Sequence, residues 1–216
     1  MDLMNQAFQY YSNNQTFFWN ATRQHLVLSS FAMGISLLIA LPTGIWIAKR
    51  TKTAQVVINI FNAFRVVPSL AILFLALPYL GLGFFPALIA LIVLAFPPVL
   101  INTYTGIRGV DAFIIEAAAG MGMTKTQILT KIEIPLAIPA IVTGVRIASV
   151  EVISSATLAS FIGGGGLGDF ITRGFALYDV PIMLVGAIPV ALLALSSESF
   201  WSLFLRRYQI PENLTA

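Results

Sequence analysis

The stretch EAAAGMGMTKTQILTKIEIP, residues 116–135, sits in the longest polar segment of the chain, about residues 106–133. It reads as folded rather than disordered. Upstream, Asp111 can cap a helix by accepting from free backbone N–H groups. AFIIEAAA is rich in helix formers, and Gly120 and Gly122 then interrupt it. Gly122 permits a sharp bend. Thr124 can cap a second short helix, with Gln127 three residues on as a capping-box partner. Pro135 fits the entry to a further helix. The spacing therefore predicts two short helices bent at GMGM, leading into an apolar run.

Working outward, the chain is strongly apolar. Its 216 residues are 58% hydrophobic and only 10% charged, with a mean hydropathy of +0.89. Soluble domains carry roughly 25% charged residues, so an integral membrane protein is expected. The net charge of +3 comes with no dense basic patch interleaved with aromatics, and no nucleic-acid partner is expected. There is no cysteine, which excludes a disulfide framework and any thiol site. The start, MDLMNQAFQYYSNNQTFFWN, has no basic segment followed by a short apolar core, so it does not look like a cleaved signal peptide.

A membrane-crossing helix needs about 20 mostly apolar residues. Five candidates satisfy this, at about residues 25–48, 54–77, 85–105, 134–158 and 180–204. Five crossings put the termini on opposite sides. Lys49, Arg50, Lys52, Arg108, Lys125, Lys131, Arg206 and Arg207 all fall on one side of this arrangement. The other side holds only Arg23 and Arg173, while Arg65 and Arg146 lie within spans. Lys and Arg are retained in the cytoplasm. The N-terminus is therefore expected outside and the C-terminus in the cytoplasm, with residues 106–133 as a cytoplasmic loop in a single permease domain, 1–216.

That loop carries Glu116-Ala117-Ala118, three residues, Gly122, nine residues, then Ile132-Glu133-Ile134-Pro135. It resembles the EAA signature of ABC-importer permeases, E-A-A-x3-G-x9-I-x-L-P, with Ile134 in place of Leu. The resemblance implies a type I ABC-importer permease fold. It also implies that Glu116, Ala117, Ala118, Gly122, Ile132 and Pro135 couple the chain to cytoplasmic ATPase subunits. NTYTGIRGVD (102–111), EAAAGMGMTKTQIL, IPLAIPAIVTGVR and TLASFIGGGGLGDFI narrow it further. They look like the permeases of osmoprotectant importers for glycine betaine, carnitine and choline. Methionine-importer permeases share the five-span plan and are the nearest alternative. Such a permease is not an enzyme. It lies in a prokaryotic cell membrane and works with ATPases, a second permease copy or paralogue, and an extracytoplasmic substrate-binding protein. High-affinity capture falls to that protein, and the permease supplies a low-affinity path. The chain has no Walker-type G-x4-G-K-[ST], so it is expected to bind no cofactor, with ATP used by partner subunits. A self-sufficient secondary transporter is a further alternative, disfavoured by the lack of an inverted repeat.

Three charges lie inside spans: Arg65, Arg146 and Glu151. Intramembrane charges face a bundle interior or an aqueous cavity, so they are candidates for the translocation path. A structural ion pair or a snorkelling group is the more common explanation of such charges. Arg146 and Glu151 are five residues apart, about 140° around a helix, so each needs a partner on another helix. Glu198, near Arg206, reads as a structural acid. His25 starts the first span and is expected at the interface; a lone histidine makes no metal site. Pro97-Pro98 is the expected kink. The aromatics are spread over all spans and define no cation cage.

FIGGGGLGDFI, residues 161–171, contains Gly163, Gly165 and Gly168 at the spacing G-x-G-x-x-G. A dinucleotide site would place that spacing after a strand, with an acid about 20 residues on. Here it follows a membrane helix and lies at the outer end of the fourth span. Gly163, Gly164, Gly165, Gly166 and Gly168 are therefore expected to make an outer turn, or a gate, and a nucleotide-dependent enzyme is disfavoured.

Overall fold

The computed structural model describes residues 2–64 and 66–207. The regular structure there is helical: α1 (Leu3–Asn13), α2 (Gln15–Ala48), α3 (Thr51–Phe64), α4 (Ser69–Leu80), α5 (Phe84–Arg108), α6 (Ala112–Gly120), α7 (Lys125–Ile128), α8 (Ile134–Ser155), α9 (Gly168–Leu177) and α10 (Val180–Arg206). A π-helical turn, Leu129–Glu133, joins α7 to α8, and a 3-10 segment, Ala156–Ile162, extends α8. Among the described residues, four helical runs are long and apolar enough to cross a membrane: Gln15–Ala48, Phe84–Arg108, Lys125–Ile162 and Val180–Arg206.

The second expected span departs from its prediction. Residues 54–77 do not form one helix; α3 ends at Phe64 and α4 begins at Ser69. Pro68 stands at the N-cap of α4. Proline has no N–H to donate and pushes the residue before it out of helical geometry, so the break falls there. At 12 residues, α4 is about 18 Å long, too short alone for a hydrocarbon core of about 30 Å. Arg65 lies outside the described residues. The first span departs too: α2 starts at Gln15 instead of near residue 25. QTFFWNATRQ is polar and aromatic but holds no proline or glycine, so nothing stops the helix where hydropathy falls. The expected kink at Pro97-Pro98 leaves α5 continuous. Downstream of the pair, Asn102 Nδ2 donates to the Pro98 carbonyl at 2.8 Å and Thr103 Oγ1 to the Val99 carbonyl at 2.7 Å.

The core is the meeting of α2, α5 and α8. Leu28, Ala32, Ala40, Leu91, Val99, Leu100, Ala148 and Val152 are buried there. In hydrocarbon, helices associate through close packing of small residues, and glycines supply the contacts. A Cβ added at Gly44 of α2 would lie 2.8 Å from Thr103 Cβ of α5. One added at Gly106 of α5 would lie 2.8 Å from Ala140 Cβ of α8, and one at Gly144 of α8 would lie 2.7 Å from both Asn102 Cβ and the Pro98 carbonyl. These pairs run α5 antiparallel to α8 and bring the ends of α2 and α5 together with the start of α8. α10 packs on α8 and α9, and α1 lies on α10. Large apolar side chains such as Leu38, Leu75 and Leu195 point outward, more than 60% exposed, as a lipid-facing surface requires.

Gly144→Val should destabilise the fold by about 1–3 kcal/mol through overpacking, because the new side chain meets backbone as well as Asn102. Denaturant unfolding of the purified protein in detergent would register the loss; unchanged stability would contradict the α5–α8 approach.

Candidate functional site

One end of the bundle carries the loop. Asp111 Oδ1 accepts from Phe113 N at 2.9 Å and starts α6. Thr124 and Gln127 form a reciprocal capping box at α7, with Gln127 Oε1 accepting from Thr124 N at 2.8 Å. Between them the chain reverses at Gly122, whose φ is +82°. A side chain is disfavoured in that region, whereas glycine enters it freely. Met123 N reaches back to the Ala118 carbonyl at 3.1 Å. Within the motif, Ala118 is buried, Ile132 is half-buried, and Glu116, Ala117, Gly122 and Pro135 are exposed. The small residues thus serve two purposes: Ala118 packs inward, and Ala117 and Gly122 leave an outward face free of bulk.

The Lys49 ammonium donates to the Glu133 carboxylate, linking the end of α2 to the π turn. Sequence reasoning missed this pair. Glu133 occupies an unspecified position in the motif, and 84 residues separate the partners. A basic residue at a helix end beside an acid in a polar loop is too common a pattern to single it out.

Deeper in the bundle, Arg146 Nε lies 3.5 Å from Glu198 Oε1 on α10, so Arg146 finds its partner on another helix. The neighbouring Trp201 Nε1 donates to Ser149 Oγ at 3.1 Å. Glu151 points elsewhere. It lines a cavity of about 200 Å³ together with Val66, Pro68, Ser69, Val93, Leu94 and Pro97. That cavity sits where the second span is broken. Pro97 and Pro98 lack the N–H groups that would bond to the Val93 and Leu94 carbonyls, and both of those residues border it. The structure therefore separates the sequence candidates: Arg146 joins a pair with α10, and Glu151 faces the break between α3 and α4.

The glycine run closes the opposite end. Gly163, Gly165 and Gly166 have φ of +74°, +71° and +99°. Gly164 packs where a Cβ would be 2.9 Å from both Ala159 Cβ and Ala87 Cβ, and at Gly168 it would be 2.0 Å from the Thr157 carbonyl. Gly83 N donates to the Ile162 carbonyl at 2.7 Å, pinning the run to the α4–α5 turn. Gln24 Oε1 accepts from Gly166 N at 3.3 Å. The run follows a helix, not a strand, and its cradle is filled by this chain's own side chains.

His25, expected at the interface, is fully buried within the protein, on α2 well past its start. Its Nε2 lies 3.0 Å from the Ile153 carbonyl and donates to it. Where α8 tightens into 3-10 geometry the carbonyls of its last turn lose regular partners, and His25 serves one. Nearby, Phe170 is buried among Tyr10, Phe17 and Phe18, with ring centroids 6.3, 4.9 and 6.1 Å away. These aromatics pack against one another, and Phe18 also borders a cavity of about 240 Å³ with Phe8 and Tyr11. At the start of α9, burial pushes the Asp169 carboxyl above its ordinary range.

Residues 40–210 match the family of binding-protein-dependent transport system inner membrane components. The chain belongs to this family. It is a multi-pass permease subunit of an ABC-type import system in the inner membrane, and not an enzyme. It is 49% identical over 177 residues to the carnitine transport permease protein OpuCB of Listeria monocytogenes, covering 82% of this chain and 81% of that protein. Over 192 residues it is 42% identical to the glycine betaine/carnitine/choline transport system permease protein OpuCB of Bacillus subtilis (strain 168), covering 89% and 88%. The choline transport system permease protein OpuBB of the same organism is 44% identical over 174 residues, covering 81% and 80%. Among solved structures, the MetNI methionine ABC transporter in an inward-facing conformation aligns with a TM-score of 0.79 and 21% identity, covering 91% of this chain and 98% of that one. At that identity the likeness is one of fold.

Gly165→Ala should cost about 1–2 kcal/mol from its left-handed backbone alone, and more because a Cβ would lie 2.5 Å from Gln24 Oε1. Gly34→Ala, where a Cβ meets nothing within 4 Å, is the control and should hold or raise stability. Equal melting temperatures for the two variants would refute the tight glycine turn.

Proposed function

We propose that this chain forms the translocation path for a quaternary-ammonium compatible solute: glycine betaine, carnitine or choline. The observation that carries the reading is the 49% identity to a carnitine permease, joined to a loop of two short capped helices bent at Gly122. The relatives' names span all three solutes. A methionine-type importer is supported only by fold.

In this reading α2, the α3–α4 pair, α5, α8 with its extensions, and α10 make five crossings. The N-terminus is outside and the C-terminus in the cytoplasm. Lys49, Arg50, Arg108, Lys125 and Lys131 gather at the loop end, as retention of basic residues in the cytoplasm requires. A second permease copy or paralogue completes the pore, two ATPase subunits bind below, and a binding protein delivers solute from outside. The exposed face of Glu116, Ala117 and Gly122 docks on the ATPase, with Ile132 and Pro135 carrying the movement into α8. ATP supplies the work in those partners, and the chain needs no cofactor of its own.

The path runs past the break in the second span. The polar groups of Glu151 and Ser69 line that cavity and give the solute weak contacts without tight capture. Arg65 stands in the sequence at the same break. Arg146, tied to Glu198, holds α8 to α10 instead of meeting solute. Gly163, Gly164, Gly165, Gly166 and Gly168 form the outer turn, fixed to Gln24 and Gly83, and it moves only as far as those anchors allow.

Two measurements test this. In proteoliposomes holding the whole complex, uptake of labelled carnitine should require ATP and binding protein, and glycine betaine or choline should compete. Uptake of methionine in place of all three would overturn the solute class. Gly122→Leu should cut uptake at least tenfold and weaken retention of the ATPase on purification. A Cβ there meets nothing of this chain within 4 Å, so beyond a backbone strain of about 1–2 kcal/mol the fold is spared. Normal uptake and normal retention in that variant would sink the coupling assignment.

A further inference from the structure

Lys49 follows the last residue of α2, and Glu133 closes the π turn that leads from α7 into α8. The Glu133 side chain is 5% exposed, and that of Lys49 is 43% exposed. A buried carboxylate that loses its cation is strongly disfavoured, so the two elements resist separation. The π turn adds its own constraint. Ile134 N bonds to the Leu129 carbonyl across it, and such turns interrupt regular helical geometry, frequently at functional sites. A push on α6 and α7 therefore reaches α8 through the covalent chain. Among the described residues it reaches α2 through side-chain packing: the apolar cluster of Ala48, Ile107 and Ala137, the cavity that Leu129 shares with Ile45 and Trp46, and the close approach of Gly44 to Thr103. Apolar contacts are non-directional, and the Lys49–Glu133 pair adds a directional link to them.

α2 runs unbroken for 34 residues from this pair, about 50 Å. Roughly 37 Å along it from Lys49, Gln24 holds Gly166 and His25 holds the end of α8. We infer that the Lys49–Glu133 ion pair is the link that passes movement of the coupling segment to α2, and through α2 to the glycine turn at the far end of the bundle. Lys49 and Glu133 are then positioning residues for coupling between ATP hydrolysis and transport. This inference rests on the coupling role given above to the 116–135 segment.

The test uses the whole complex in nanodiscs and compares Lys49→Met, Glu133→Gln, Lys49→Arg and the exchange Lys49→Glu with Glu133→Lys. The readout is the ratio of ATPase activity with binding protein saturated by carnitine, glycine betaine or choline, whichever the uptake competition selects, to activity without it. Retention of the ATPase is measured in parallel. Lys49→Met and Glu133→Gln should keep the ATPase bound yet lower the ratio at least fivefold. Lys49→Arg should stay near the parent value, and the exchange should recover more than half of the loss. An unchanged ratio in Lys49→Met overturns the link. So does a loss that the exchange fails to relieve, because each residue would then act alone. Loss of ATPase retention together with the ratio in Lys49→Met makes the pair a structural tie only, which also overturns it. The Gly122→Leu variant separates the two readings: if it assembles and transports normally, the coupling role itself fails, and if it is impaired while Lys49→Met is not, only the ion-pair link fails.

Discussion

The close approach of α2, α5 and α8 is the contact on which the rest of this protein depends. In hydrocarbon, water provides no drive to bring helices together, so association rests on how closely backbones pack. Gly44 against Thr103, Gly106 against Ala140 and Gly144 against Asn102 bring three helices to distances at which no further carbon fits. These contacts lie toward the loop end of the bundle. Gly164, wedged between Ala87 and Ala159, repeats the device at the other end. The close pairs hold α5 to α2 and α8 at the loop end, and Gly164 holds α5 to the 3-10 segment at the other.

Those surroundings differ in character. At the loop end, short capped helices are set on the bundle by Ala118, Ile128 and the buried Glu133, leaving an exposed, low-bulk face. At the opposite end, a glycine run with three left-handed residues is stitched to the Gln24 side chain of α2 and to the backbone of the α4–α5 turn by hydrogen bonds. Between them, the interrupted second span opens a cavity beside Glu151. A continuous helix at that position would have closed its backbone groups on itself. The break at Pro68 interrupts the backbone ladder there, and the prolines of α5 lack N–H groups of their own; in a membrane such backbone is tolerated only against protein or a water-filled space.

Much of this was legible in the sequence. Asp111, Thr124 and Gln127 act locally, through side chains that reach only two or three residues along, and their caps are as the residue types predict. The apolar runs of α5, α8 and α10 are likewise local properties. The first and second spans were read less well, for opposite reasons. Hydropathy falls before residue 25 while helical geometry continues, and it stays high through residues 54–77 while Pro68 breaks the helix. His25 was placed at a span's start; with α2 extended it lies inside the helix and is buried against Ile153. The partner of Arg146 could be required but not named, since Glu198 lies 52 residues away on a helix whose rotation no pattern fixes.

The sequence by itself determined the membrane class, the family, the bent loop and the need for glycine at the turn. These follow from composition, from short-range hydrogen bonding and from backbone freedom, all of which act within a few residues. Only the tertiary structure decided which charges meet. It set Lys49 against Glu133, gave Arg146 to Glu198, turned Glu151 toward the broken span, and filled the glycine cradle with Gln24 and His25. The physical reason is that each of these contacts depends on the rotation and crossing of whole helices, and those are settled by the sum of close packings along three helices at once.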